Sequence, residues 1–298
     1  MVDHVVVHSG GGSNGAFGWG VMHYLLGDLN AKPKNGFGTS VGGLNWGIVS
    51  QFAVGEEQAA LTYGDETWDE VDERFYKHYC PGGTVGDVRG VVCKQSVYDC
   101  SYTYKFIADH LDVPKLRGSG RGLVVSIVDL ATLDLHYIDQ NHPEIVAAVQ
   151  GSAAYPFFFS PVKFADMLVS DGGLREITPL QRAVESGATF IDVICCQTEK
   201  PGHFDPFGKK TLDLGPRYLA AQSAEINRND LLYRPPPGSP EVTVRLWQPQ
   251  KSIGSGLDFS QEKAKRLREE GYEYARSCGD EGTRTWTIGG GCGVAEEV

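Results

Sequence analysis

The sequence predicts an α/β fold, a three-layer α/β/α sandwich around a largely parallel central sheet. Three observations carry that reading. Continuous apolar runs, Val5-Val6-Val7 and Val193-Ile194-Cys195-Cys196, have the character of strands buried on both faces. Segments with helical spacing stand between the strands, and such alternation builds parallel sheets. Glycine-rich turns follow the first strands, at Gly10-Gly11-Gly12-Ser13-Asn14-Gly15 and at Gly38-Thr39-Ser40-Val41-Gly42. The 298 residues contain no repeat and no dividing linker. One domain is therefore expected over residues 1–287, with 288–298 a frayed, glycine-rich and acidic tail.

Taken in order, residues 4–8 form the first buried strand. Residues 16–29 form a helix, with Phe17, Val21, Tyr24 and Leu25 at helical spacing and Asp28 at its end. Lys32-Pro33-Lys34-Asn35 is a turn, and 37–39 is a short second strand. The helix after Ser40 gathers Leu44, Ile48, Val49 and Phe52 on one face. Residues 56–110 read as mostly helical and polar, anchored by Trp68, Phe75 and Tyr76 and broken at Cys80-Pro81-Gly82-Gly83. Residues 123–128 and 135–138 pair as a hairpin through Ala131-Thr132. Pro143 opens a helix that runs to about Gln150. Met167-Leu168-Val169 and 190–196 are strands, 216–232 and 260–277 helices, and 241–248 an alternating strand. Arg234-Pro235-Pro236-Pro237-Gly238 is a rigid loop, and Ser260 is placed to cap the last helix.

Composition narrows the function. Lys and Arg number 27 against 38 Asp and Glu, giving a net charge of −11. An acidic surface repels nucleic acid and disfavours tight docking on anionic lipid, while leaving room for a transient, local membrane contact. The seven cysteines are odd in number and lack C-x-x-C spacing, which speaks against a disulfide framework. His4 and His8 have no cysteine near them, so no zinc site is expected. No signal peptide and no membrane span is read, and a soluble protein of the cytoplasm is the expectation. The oligomeric state leaves no trace in the sequence.

Three motifs fit one reaction. A G-x-S-x-G turn, here 38–42, lifts its serine to the apex between strand and helix. The glycine loop at 10–15 offers free backbone amides at a helix start, which suit an oxyanion or a phosphate. Asp171, in Ser170-Asp171-Gly172-Gly173-Leu174, ends a strand and is followed by two glycines that hold it at the sheet edge. A nucleophile, a base and an anion cradle together suggest acyl transfer.

The ordered set resembles the patatin-like phospholipases. Gly10-Gly11-Gly12-x-x-Gly15, Gly38-x-Ser40-x-Gly42 and Asp171-Gly172-Gly173 look like that family's three signatures. Residues 151–161 and Leu257-Asp258-Phe259-Ser260 add to the match, so the similarity runs from about residue 4 to about 276. The resemblance implies a lipid acyl hydrolase with a Ser–Asp dyad, no catalytic histidine, no metal and no cofactor. It implies Ser40 as nucleophile, Asp171 as base, and the Gly11 and Gly12 amides as oxyanion hole. Gly10, Gly15, Gly38, Gly42, Gly172 and Gly173 would shape the turns. Two positions depart from the family: Asn14 where Arg or Lys is common, and Thr178 where Asn often precedes the proline.

Other readings stand beside this one. Gly10-x-Gly12-x-x-Gly15 also fits a dinucleotide fingerprint, but Asn30-Ala31-Lys32-Pro33-Lys34 lies where the ribose-binding acid belongs. A member without turnover would bind lipid or a partner instead. His203, in Pro201-Gly202-His203-Phe204-Asp205, is the sole histidine after Asp171 and could complete a triad. Phe157-Phe158-Phe159 suits an acyl pocket or ordinary packing. Trp19 and Trp46 could flank the site or pack in the core.

Overall fold

A computed structural model describes residues 3–78, 95–200, 202–207 and 211–290. Strand β1 (His4–His8) leads through the glycine loop to α1 (Gly15–His23), whose last turn widens into a π-helical segment, Tyr24–Asp28. Then come β2 (Asn35–Gly38), α2 (Val41–Val49) and α3 (Glu57–Asp69). A small two-stranded sheet joins β3 (Lys77–His78) to β4 (Tyr98–Asp99), and α4 (Ser101–His110) and α5 (Val113–Gly118) follow. The chain continues through β5 (Gly122–Asp129), β6 (Leu135–Asp139), α6 (Ile145–Ser152), β7 (Val162–Phe164) and β8 (Met167–Asp171). It ends with α7 (Leu180–Glu185), β9 (Phe190–Ile194), α8 (Thr211–Leu231), β10 (Val242–Trp247), α9 (Gln261–Cys278) and β11 (Arg284–Ile288).

The main sheet has the order β11-β10-β9-β1-β2-β5-β8-β7, with β6 also paired to β5. Its centre, β10-β9-β1-β2-β5, is parallel. Both edges are antiparallel, so the sheet is mixed rather than parallel throughout. Short connections account for two of these pairs: β5–β6 and β7–β8 are hairpins, which join only antiparallel neighbours, whereas β11 returns to β10 after α9. Alternation along β1 sorts the core. Val6 packs with α1, α2, α3, α4, α6 and α9, while Val5 and Val7 pack with α7 and the end of α8. Helices therefore cover both faces.

Most expected elements lie within two residues of their observed bounds. The second strand starts at Asn35 and stops at Gly38, because Thr39 already belongs to the turn. Ser260 sits at the N-cap of α9, but its hydroxyl makes no capping bond. Trp68 and Phe75 are buried anchors. The break at Cys80-Pro81-Gly82-Gly83, Cys93 and Cys292 lie outside the described residues, as do residues 291–298 of the tail expected at 288–298, whose first residue, Ile288, closes β11. Cys195 and Cys196 are buried thiols, pushed up to about 12 by burial. Among the described residues no helix is long and apolar enough to cross a membrane.

One buried ion cluster ties β9 to β10. Asp192 is fully buried and accepts from Arg245 (2.6 and 2.9 Å), Trp247 Nε1 (2.8 Å) and His4 Nε2 (2.7 Å). Burial alone would raise its carboxyl, but His4 and Arg245 outweigh that and hold it below the ordinary range. Asp192→Ala leaves the Arg245 guanidinium unpaired at 8 % exposure. We expect it to lower stability by about 3–5 kcal/mol, read as a shifted urea midpoint at unchanged slope. A loss below about 1 kcal/mol would show that water reaches and compensates Arg245.

Candidate active site

Ser40 stands where β2 turns into α2, with φ 55° and ψ −128°. A non-glycine residue at positive φ is strained, and here the strain lifts the hydroxyl clear of the helix. The turn closes tightly enough that a Cβ on Gly42 would lie 2.1 Å from the His8 carbonyl oxygen. Ser152 Oγ, at the end of α6, accepts the Ser40 N–H at 2.8 Å. Thr39 Oγ1 and Ser126 Oγ share a hydrogen bond of 2.7 Å, which fixes the turn to β5.

The register of β5 brings Asp171 to this point. Gly38 pairs with Val125, and Asp171 pairs with Ile127. Strand β6 occupies the opposite edge of β5 across residues 124–128, so β2 and β8 share one edge. Their carboxyl ends therefore meet head-on, across two residues of β5. Strand β8 can stop there because it turns at once through Gly172. A Cβ at that position would lie 2.1 Å from Ser126 Oγ. Asp171 is 3 % exposed, and its Oδ1 accepts the Gly173 N–H at 2.8 Å. Burial raises its carboxyl to about 7, against the smaller pull of the Gly173 amide and of the nearby Ser40 hydroxyl. A carboxyl poised near neutrality can accept a proton that an exposed aspartate could not hold.

The glycine loop supplies the donors. Gly10 N–H is taken by the Ile177 carbonyl (3.0 Å) and Ser13 N–H by the Gly256 carbonyl (2.8 Å). Between them, the Gly11 and Gly12 amides donate to no protein acceptor among the described residues. Gly12 has φ +58°, and a Cβ there would lie 2.2 Å from the Gly256 carbonyl oxygen. A side chain is excluded twice over.

These parts line one cavity of about 640 Å3, a size ordinary for small-molecule sites. Val41, Leu44, Ile48, Trp68, Phe106 and Phe159 give it an apolar wall from the helices on one face of the sheet. Gln197, Thr198, His203, Arg217 and Ser252 give it a polar one. Gln197 Nε2 is buried without a partner, and Arg217 touches the Phe204 ring but meets no carboxylate among the described residues.

Other expected positions divide. His203 lines the cavity but is exposed, and the groups that act on the Asp171 carboxyl are the Gly173 amide and the Ser40 hydroxyl, not an imidazole. Phe159 lines the cavity, whereas Phe157 is 71 % exposed. Trp19 and Trp46 are core residues, bonded to Asp65 Oδ1 (3.0 Å) and the Gly122 carbonyl (2.7 Å). Thr178 is held by Asn227 Oδ1 (2.5 Å) and, through its N–H, by Asp230 Oδ2 (2.9 Å). Asn14 bonds the Gly254 carbonyl (3.2 Å) and receives Lys263 Nζ (2.8 Å). Ser126 and Lys263 were not read as site residues, and Ser152 only as part of the 151–161 segment, since each reaches the site through tertiary packing.

A family model described as patatin-like phospholipase matches residues 6–184, a stretch that contains all three motifs. No curated protein sequence matches the chain. Twelve chains of solved structures match. One is VipD from Legionella pneumophila, 12% identical with a TM-score of 0.46, covering 97% of this chain and 68% of that one. The family match spans more than half of the residues, and the chain belongs to the patatin-like phospholipase family.

Proposed function

We propose that the protein is a serine acyl hydrolase that cleaves carboxylic esters of lipids through a Ser40–Asp171 dyad. The family carries lipid acyl hydrolysis as its general activity. One observation supports the finer reading above all. The strained Ser40 stands close to a buried carboxyl that feels its hydroxyl, beside two amides that lack an acceptor among the described residues, at the wall of a largely apolar cavity.

Ser40 Oγ attacks the ester carbonyl carbon while its proton passes to Asp171. The carbonyl oxygen becomes an oxyanion, held by the Gly11 and Gly12 amides, each such donor being worth about 3–4 kcal/mol. The N-terminus of α2 adds a favourable dipole for developing charge on Ser40. Collapse expels the alcohol, which takes the proton from Asp171, and leaves an acyl-enzyme. Water then gives its proton to Asp171 and attacks the acyl carbon. Ser40 leaves with that proton, and the free acid departs. The apolar wall takes the acyl chain. Gln197 and Arg217 offer the alcohol portion two donors, which favours an ester bearing acceptor oxygens, a phosphate among them.

A fluorophosphonate probe is expected to label Ser40, identified by mapping the modified peptide. Labelling confined to another serine in turning-over protein would remove the dyad from the reading. Binding of lipid without turnover or labelling would favour a member that acts by binding.

A further inference from the structure

Lys263 is a buried cation bonded to the glycine loop. It lies in the first turn of α9, is 5 % exposed, and makes no ion pair among the described residues. Its Nζ donates to Ser13 Oγ (2.9 Å), to Asn14 Oδ1 (2.8 Å) and to the Ser255 carbonyl. All three acceptors are neutral. They belong to the loop that carries Gly11 and Gly12 and to the loop that is laid against it. Packing alone does not call for a lysine here, because an ammonium buried among neutral acceptors costs more than an apolar chain of the same length.

We propose that Lys263 is a positioning residue for ester cleavage: its ammonium clamps Ser13 and Asn14, keeps the Gly11 and Gly12 amides unoccupied at the cavity wall, and biases the loop toward an oxyanion. The inference rests on the acyl-hydrolase reading. Three features support it. The neighbouring amides are consumed by Ile177 and Gly256, so the loop has little freedom except at Gly11 and Gly12. The Asn14 side chain bonds Lys263 with its oxygen and Gly254 with its nitrogen, so that one residue locks both loops. Among the described residues the ammonium is the one cation bonded to the loop, and the charge that forms beside it in the reaction is negative. Of the charged groups acting on Lys263, Asp258 favours the ammonium and Arg266 opposes it, while burial is the largest influence and lowers it to about 8. The clamp therefore weakens as pH rises through that value.

The test compares Lys263→Met and Lys263→Arg with the wild type on one soluble acyl ester across pH, with folding checked by near-ultraviolet circular dichroism. We expect Lys263→Met to lower kcat about 10- to 100-fold with KM within about twofold. The alkaline fall in kcat near pH 8 should vanish in that variant. Lys263→Arg, whose charge persists at all accessible pH, should recover much of kcat and carry its activity above pH 8. A folded Lys263→Met with wild-type kcat and an unchanged alkaline limb overturns the proposal. Should Lys263→Met fail to fold, an alkaline limb that does not move in Lys263→Arg overturns it equally. A wild type that hydrolyses no acyl ester sinks the hydrolase reading and this inference with it. Hydrolysis that ignores position 263 sinks this inference alone.

Discussion

Ser40→Gly will give a protein that is more stable than the wild type and has lost turnover. The loss follows from the hydroxyl: removal of the nucleophile in a serine enzyme costs about 10⁴–10⁶ in kcat. The gain follows from the backbone. Ser40 holds φ 55° and ψ −128°, a conformation that costs an L-residue about 1–3 kcal/mol and glycine almost nothing. Against this, glycine gives the unfolded chain extra freedom, worth about 0.5–1 kcal/mol, and the favourable influence of the hydroxyl on Asp171 disappears. Strain is the larger quantity, so a net gain on the order of 1 kcal/mol is expected, with a rise in Tm of a few degrees. Ser40→Ala supplies the control: it loses the same hydroxyl but keeps the strain, so it should be equally inactive and no more stable. A turn residue without a chemical role would give the same stability changes with turnover intact. Calorimetry and one ester assay on both variants separate these outcomes, and turnover within tenfold of wild type in Ser40→Ala would contradict the mechanism.

How much of this was legible in the sequence differs by element. Strands β1 and β9 were plain because burial on both faces writes an unbroken apolar run. The hairpin β5–β6 was plain from its short turn. Strand β11 was passed over although Arg284-Thr285-Trp286-Thr287-Ile288 alternates, because an edge strand beside a charged, glycine-rich stretch looks like a tail. Strand β7 has three residues and α7 six, too few to show a period. The three glycine motifs announced the site because tight turns and close approach leave few residue choices. What supports them did not show. Ser152 reaches Ser40 across 112 residues and Lys263 reaches Asn14 across 249; no local pattern marks Lys263, and the 151–161 segment around Ser152 gave that side chain no role. The meeting of β2 with β8 along one edge of β5 was hidden too, since register is a property of pairs of strands. The arrangement expected from a parallel sheet placed Asp171 correctly although its strand runs the other way.

The last expected result separates a dyad from a triad. Asp171→Asn should lower kcat by about 10⁴, the scale seen when the carboxylate partner of a serine nucleophile's base system is neutralised. His203→Ala should change it by less than about threefold, because that imidazole is exposed and Asp171 has no bond to it. Asparagine keeps the shape and the Gly173 contact but cannot take the serine proton, so the loss belongs in kcat. The pH profile adds a second reading. Burial raises Asp171 to about 7, so the wild-type rate should climb as pH rises through that value, and the limb should persist in His203→Ala. Stability should move in the opposite sense. A carboxyl raised in the folded state burdens the fold only when ionised. The burden is absent below the ordinary value of 3.8, grows between there and about 7, and is full above it. Asp171→Asn should therefore match the wild type in stability near pH 4 and exceed it by a few kcal/mol at pH 8. A structural aspartate held by favourable partners would show the reverse. If His203→Ala is folded and as inactive as Asp171→Asn, the base is a histidine. The exposed 202–207 segment must then close onto Asp171 when substrate binds.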